Sequence, residues 1–357
     1  VSKNLAWFAD QSRYMQGYNC PFSRLLKYHL DGTGYVLSVE PTETKVGHEI
    51  HAGLEQVLLL AKSGTPVDKA TITKLLTGPQ DFESYGLVHA WTRAILPWLL
   101  ASFEIVSAEE EFTIDIGDDI FWMARPDAIV RSKTTGKLSI VEFKSTRSKA
   151  ERIARLHAGS LQSVMNAYAV SSKYGEAVES VQVHMLQLGV EKWPTVITHA
   201  YYRPAQPPYV SEDWQPSSRR PDGTWLGKLY RRVQVAQHRR TDDWIWSMPP
   251  GPLAEVVPVL KNDLDPNTQG LKVIQALQSI EKNESHWRSL LAPLDWSTTS
   301  LSDLSRLVPR TFNCQQYDRT CEFATACFAP ALQSEPGALR ALMGLKPRTP
   351  HHPQENK

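Results

Sequence analysis

The stretch Ile120-Phe-Trp-Met-Ala-Arg125-Pro126-Asp127-Ala-Ile-Val-Arg131, with Leu138-Ser-Ile-Val-Glu142-Phe143-Lys144 after a short turn, decides the reading of the fold. It is rich in β-branched and aromatic residues and largely alternating, the pattern of half-buried strands. Just upstream, Glu111-Phe-Thr-Ile-Asp-Ile116 also alternates by two and Gly117-Asp118-Asp119 has turn chemistry, so 111–131 reads as a β-hairpin. Lys133-Thr-Thr-Gly136-Lys137 is a second turn, leading into a third strand. Residues two apart on a strand face the same way, so Glu142 and Lys144 project together, and Asp127 on the neighbouring strand can meet them.

On either side the period changes to that of helices. Val46, Ile50, Leu54, Val57 and Leu58 predict a helix over 43–61, and Leu87, Trp91, Ile95, Trp98 and Leu99 another over 82–103. A short helix with Pro in its first turn is predicted over 19–28, further helices over 153–172 and 271–291, and a fourth strand over 181–188. Strand, hairpin, strand, helix, strand is an α/β core. Residues 204–266 are rich in Pro, Trp and Arg and read as an elaboration with a helical pattern near 226–237, because the strand pattern stops there. The expected division is an N-terminal segment (1–40), a core (41–203), a helical and Trp-rich elaboration (204–300), a cysteine segment (301–345) and a disordered tail (346–357).

A chain of 357 residues, 41% hydrophobic and 22% charged, has the composition of a folded globular protein, which sets aside disordered and collagen-like classes. The net charge of +1 and pI near 7.8 give no global basic field, so any affinity for nucleic acid must be local. Lys144, Arg147, Lys149, Arg152 and Arg155 form one basic stretch and Arg231, Arg232, His238, Arg239 and Arg240 another, though each alone reads more simply as a solvated helix face. No apolar run approaches the roughly 20 residues that span a bilayer. The N-terminal VSKNLAWFAD also lacks the pattern of a secretory signal, so a cytoplasmic location without membrane partners is expected.

Two carboxylates and a lysine on adjacent strands have a chemical meaning. Hard oxygen donors suit Mg2+ or Mn2+, which keep some waters and take up substrate phosphate, while Lys144 can orient or deprotonate the attacking water and offset transition-state charge. The backbone carbonyl of Phe143 is a further candidate donor. A Glu-x-Lys strand also occurs as surface charge, but Leu138, Ile140, Val141 and Phe143 flank Glu142 with apolar residues, where an unpaired carboxylate is costly.

With these residues the chain resembles the PD-(D/E)xK nuclease superfamily, and its RecB-like branch in particular. The resemblance runs from Gly47-His-Glu-Ile-His51-Ala-Gly-Leu54-Glu55 through Arg125-Pro-Asp127 and Glu142-Phe-Lys144 to Gln162. It implies a restriction-endonuclease-like mixed sheet flanked by helices, with His51, Asp127, Glu142 and the Phe143 carbonyl as metal donors. His48, one helical turn from His51, is the rival ligand, and the Gly47 spacing favours His51. Where the branch has Gln-x-x-x-Tyr, this chain has Gln162 with Asn166 at the tyrosine position and Tyr168 two residues later. Gln162 and Tyr168 are thus the candidates for that motif's catalytic contacts.

Four cysteines form a second group: Cys20, then Cys314, Cys321 and Cys327 spaced C-x6-C-x5-C. Zinc sites more often show pairs two to four residues apart, and two disulfides would suit a secreted chain; a 4Fe-4S cluster tolerates irregular spacing. One cysteine before the core and three after it resembles the iron-sulfur subset of RecB-type nucleases, which includes CRISPR-associated enzymes and the AddB nuclease domain. The resemblance implies a structural cluster joining the N- and C-terminal segments.

The expectation is therefore a metal-dependent DNA nuclease, an exonuclease or end-processing enzyme on single-stranded or splayed DNA, with Trp214, Trp225, Trp244 and Trp246 as candidate base-stacking residues. The alternative is a non-catalytic DNA-end-binding subunit, against which the intact Asp127, Glu142, Lys144 and His51 stand. With no Gly-x-x-x-x-Gly-Lys-Ser/Thr loop to hold ATP, a motor would have to be a separate helicase, recombination or CRISPR-type partner.

Overall fold

The structure is a computed structural model that describes residues 7–30, 34–37, 42–68, 71–72, 75, 84, 87–88, 91–92, 95–146, 156–157, 160–187, 218–219, 225–226, 231–234, 244–247, 254–261, 266–296, 299, 301–309, 311, 315–316, 319–321, 323 and 345–348. The expected disordered tail lies outside these, save 346–348. The chain divides into two compact units. One comprises Val1–Pro41, Phe112–Ala124 and Asn267–Lys357, and the other Thr42–Glu111 and Arg125–Pro266.

The second unit is built on a five-stranded mixed sheet in the order Ala254–Lys261, Val178–Gln187, Leu138–Thr146, Ala128–Ser132, Phe103–Ala108. Only the Leu138–Thr146 and Val178–Gln187 pair is parallel. Parallel neighbours need a crossover, which is helix Leu161–Tyr174. Ser160 caps its start by accepting from the Ser163 N–H, and Gly175 ends it at φ +69°. The central strand is buried from Leu138 to Phe143, and its side chains go alternately to two layers. Val141 and Phe143 pack with Val46, Ile50, Leu54, Trp91 and Ile95 on the side of helix Thr42–Lys62. Glu142 points the other way, toward Leu161–Tyr174.

Several expectations are corrected. Phe112–Gly117 and Ile120–Ala124 do pair as a hairpin, but in a three-stranded sheet with Trp7–Ala9 in the other unit, and the second arm breaks at Arg125-Pro126. Proline offers no N–H to a ladder, so pairing restarts at Ala128 with new partners. The helix expected to reach residue 103 stops at Ser102, and Phe103 opens an edge strand. Of the helix predicted from 153, residues 156–157 are helical and the capped helix Leu161–Tyr174 follows, while 153–155 and 158–159 lie outside the described residues. The stretch near 226–237 holds strand Arg231–Gln234, paired antiparallel with Trp244–Ser247.

The first unit has its own apolar cluster, including Phe22, Leu25, Leu26, Trp287, Leu304 and Phe323. Within that unit Arg24 and Glu284, both fully buried, form a two-bonded ion pair at 2.9 and 2.5 Å. Trp7 Nε1 donates to the same carboxylate at 2.8 Å, and the Arg24 guanidinium lies 4.6 Å from the Trp287 ring. His29 is stacked between Trp7 and Trp287; burial and then the Arg24 charge hold its pKa well below the usual range, so it is neutral.

Candidate active site

The strand register assembles the centre. Ala128 pairs with Val141, which sets Asp127 opposite Glu142, and Asp127 Oδ2 accepts the Phe143 N–H at 2.5 Å. The other oxygen, Oδ1, lies 3.1 Å from His51 Nδ1 on helix Thr42–Lys62. It is His51 that meets Asp127, whereas His48 is exposed. Glu142 is 1% exposed and hydrogen-bonded on both oxygens: Asn166 Nδ2 donates to Oε1 at 2.6 Å and Gln162 Nε2 to Oε2 at 2.9 Å. Lys144 Nζ donates to Gln162 Oε1 at 3.3 Å and stands 3.9 Å from Glu142 Oε2.

A residue that the sequence reading passed over completes the group. Glu109 follows the edge strand, its N–H donates to the Asp127 carbonyl at 3.0 Å, and its carboxylate lies 3.9 Å from His51 Nδ1. Donor atoms of His51, Glu109 and Asp127 fall within 4.8 Å of one another, the one such His/Cys/Asp/Glu group among the described residues. Arg125 Nε lies 3.1 Å from the Glu109 carboxylate. Asn166 was also undervalued: it sits one turn after Gln162 on the same helix face, while Tyr168, about 200° further round, does not share that face.

Charge in the centre is unbalanced. Burial and then the neighbouring Asp127 charge push Glu142 up to about 8, against the pull of Lys144 and the Asn166 bond. Burial alone would depress His51, but the Asp127 charge and hydrogen bonds to Asp127 and Glu109 outweigh it and raise the imidazole to about 10. Burial likewise opposes ionisation of Asp127, yet His51, Lys144 and the Phe143 N–H bring it below the usual carboxylate range. Glu109 is raised, chiefly by burial. Three clustered carboxylates, two of them pushed up by burial, with a mixed O and N donor set, fit a hard divalent cation. Behind them His184 is fully buried and lowered to about 3 by burial; it accepts from Trp91 Nε1 at 3.0 Å and packs on Phe143 as a neutral wall.

The remaining candidates are less fully placed. Trp214 lies outside the described residues, and for Trp225, Trp244 and Trp246 only the strand backbone is described. Of the basic stretches, Arg147, Lys149, Arg152, Arg155, His238, Arg239 and Arg240 are also outside. Cys314 and Cys327 are too, while Cys20 and Cys321 both pack, partly buried, against the apolar cluster of the first unit.

A mixed sheet that brings two carboxylates and a lysine together at one strand crossing, with a histidine from one flanking helix and a glutamine and an asparagine from another, is a candidate cation site in an α/β fold. The chain belongs to the PD-(D/E)XK nuclease superfamily, whose family model matches residues 11–328. Membership implies a nuclease with DNA as substrate and a divalent cation at its acidic site. No curated protein matches the chain. No helix among the described residues is long and apolar enough to cross a membrane.

Proposed function

We propose that this protein is a Mg2+- or Mn2+-dependent deoxyribonuclease of the RecB-like branch, trimming single-stranded or splayed DNA ends. The observation that carries the reading is the convergence of His51, Glu109 and Asp127 beside the Glu142 and Lys144 pair. His51, Asp127, Glu142 and the Phe143 carbonyl are the proposed donors, joined by Glu109. A cation held there supplies Lewis acidity toward the phosphoryl oxygens and the attacking water. Gln162 and Asn166 fix the Glu142 carboxylate, and Gln162 also holds Lys144, so the ammonium is aimed before substrate arrives. Lys144, as the ammonium, orients the water and offsets the charge that builds on the phosphoryl oxygens. The motif's tyrosine contact is assigned to Asn166, through Glu142, in preference to Tyr168. Action on ends rests on the resemblance to His-containing RecB-type sites, as does a separate motor, recombination or CRISPR-type partner.

The four cysteines are proposed to hold a structural 4Fe-4S cluster. Two features of the first unit support it: Cys20 and Cys321 pack on one apolar cluster, and Thr311, three residues before Cys314 in the sequence, donates through Oγ1 to the Asn19 carbonyl at 2.8 Å. Cys20 joins two helices without capping either through its side chain. Anaerobically purified protein should be brown and contain iron and sulfide; a colourless, zinc-loaded protein would refute the cluster.

For the activity, labelled single- and double-stranded DNA is offered to the protein with Mn2+, Mg2+ or EDTA, alongside Lys144→Ala. Cutting by the wild type with either cation supports the reading. Cutting that survives EDTA or the substitution removes the mechanism, and binding without cutting under every condition leaves a DNA-end-binding subunit.

A further inference from the structure

Glu109 and Arg125 lie outside the motifs, yet the backbone is bent to bring them together. Glu109 has φ +50°, a left-handed conformation that residues other than glycine, Asn and Asp rarely adopt and that persists only where surroundings enforce it. The enforcement is visible: its N–H is tied to the Asp127 carbonyl at 3.0 Å. The result is a carboxylate between two cationic groups, 3.9 Å from His51 Nδ1 on the inner side and 3.1 Å from Arg125 Nε on the outer. The carboxylate side chain is 16% exposed and the guanidinium 39%, so the pair runs from the centre to its rim. The two contacts use different oxygens, Oε1 toward His51 and Oε2 toward Arg125, so a cation that binds beside His51 and Asp127 draws the carboxylate's charge inward and loosens its hold on Arg125. A doubly charged ion in the less solvated position draws it more strongly than a half-exposed guanidinium.

Resting on the nuclease reading of this site, we infer that Glu109 is an exchangeable carboxylate: it restrains Arg125 in the cation-free protein, turns to the cation when that binds, and releases Arg125 to a backbone phosphate of the DNA strand. A guanidinium fork matches phosphate oxygens in a way an ammonium does not, and the partly exposed Arg125 is two residues from Asp127. Substrate affinity is thereby coupled to cation loading without any movement of the sheet. Arg125 is a phosphate-binding residue in this scheme, and Glu109 a ligand whose second role is to restrain it.

The test uses the full chain and two readouts other than activity: Mn2+ binding, from the electron spin resonance of free Mn2+, and affinity for a fluorescent phosphorothioate single strand. Wild type should bind the strand about tenfold more tightly with Mn2+ than with EDTA, the worth of one charged hydrogen-bonded contact. Glu109→Gln should weaken Mn2+ binding and bring the affinity in EDTA close to the wild-type Mn2+ value. Arg125→Ala should keep Mn2+ binding, which also reports an intact fold, while losing most of the Mn2+-dependent gain and lowering the salt slope by about 0.7. In Arg125→Ala the gain from Glu109→Gln should vanish. Undiminished Mn2+ binding by Glu109→Gln, or an undiminished gain in Arg125→Ala, overturns the exchange while leaving the nuclease reading intact. Equal Mn2+ binding by wild type and Asp127→Asn overturns both.

Discussion

Replacing Glu142 by glutamine separates what its carboxylate costs the fold from what it does for the centre. Without cation the group titrates near 8 instead of 4.5, because burial and the Asp127 charge both oppose ionisation. The folded protein therefore keeps a proton that the unfolded chain releases, so stability falls as pH rises from about 4.5 to about 8 and is level on either side. At about 1.4 kcal/mol for each pKa unit, the full penalty is about 5 kcal/mol. Glutamine escapes it but turns an N–H2 toward Asn166 or Gln162, both of which donate to Glu142, and that mismatch costs about 1–3 kcal/mol. Glu142→Gln should thus gain about 2–4 kcal/mol in EDTA above pH 8 and gain nothing, or lose slightly, near pH 4.5. Urea unfolding at the two pH values measures it, with DNA cleavage expected to be abolished throughout. A urea midpoint that does not rise at alkaline pH, or a difference independent of pH, would refute the reasoning.

Because a cation displaces protons from Glu142 near 8 and from His51 near 10, apparent Mn2+ affinity should climb steeply up to about pH 8 and more gently beyond. Calorimetry in buffers of different ionisation enthalpy would show the released protons, and flat affinity between pH 6 and 8 contradicts it. Asn166→Ala removes a bond that favours ionised Glu142, so the acidic limb of kcat/KM should move to higher pH, while Tyr168→Phe leaves it in place. In the first unit, Arg24→Met leaves Glu284 buried and unpaired and should cost about 3–5 kcal/mol. Adding Glu284→Leu should recover most of that loss in thermal unfolding, and a double variant as unstable as the single one contradicts the pairing.

How much of this was legible follows from where each determinant lies. The mixed α/β core, and the positions of Asp127, Glu142 and Lys144 within it, are local facts: a period of two places Glu142 with Lys144, and a short turn places Asp127 beside them. Glu109 was hidden because its placement depends on a left-handed backbone and a bond to Asp127, and because the edge strand before it, Phe103–Ala108, opens at the residue where the predicted helix ends. Pro126 was visible, but its consequence, one arm shared between two sheets, needed the partners Trp7–Ala9 and Phe103–Ala108 that lie far away in sequence. Ala254–Lys261 escaped for the same reason: its neighbour Val178–Gln187 is some seventy residues back.

The bonds from Trp7, Tyr14 and Arg24 to Ser279, Asn283 and Glu284 set an order of events during synthesis. A ribosome adding about 5–20 residues each second takes roughly 15–50 s to travel from Arg24 to Glu284. Through that interval the 21–28 helix, with Phe22, Leu25 and Leu26, has no tryptophan shelf to lie against, while the residues from Thr42 to Pro266 are made and emerge. The earliest segment to emerge is thus among the last to find its place, and a chain released before residue 284 would leave a guanidinium and an oily helix in the solvent, the mark by which cellular quality control recognises unfinished protein.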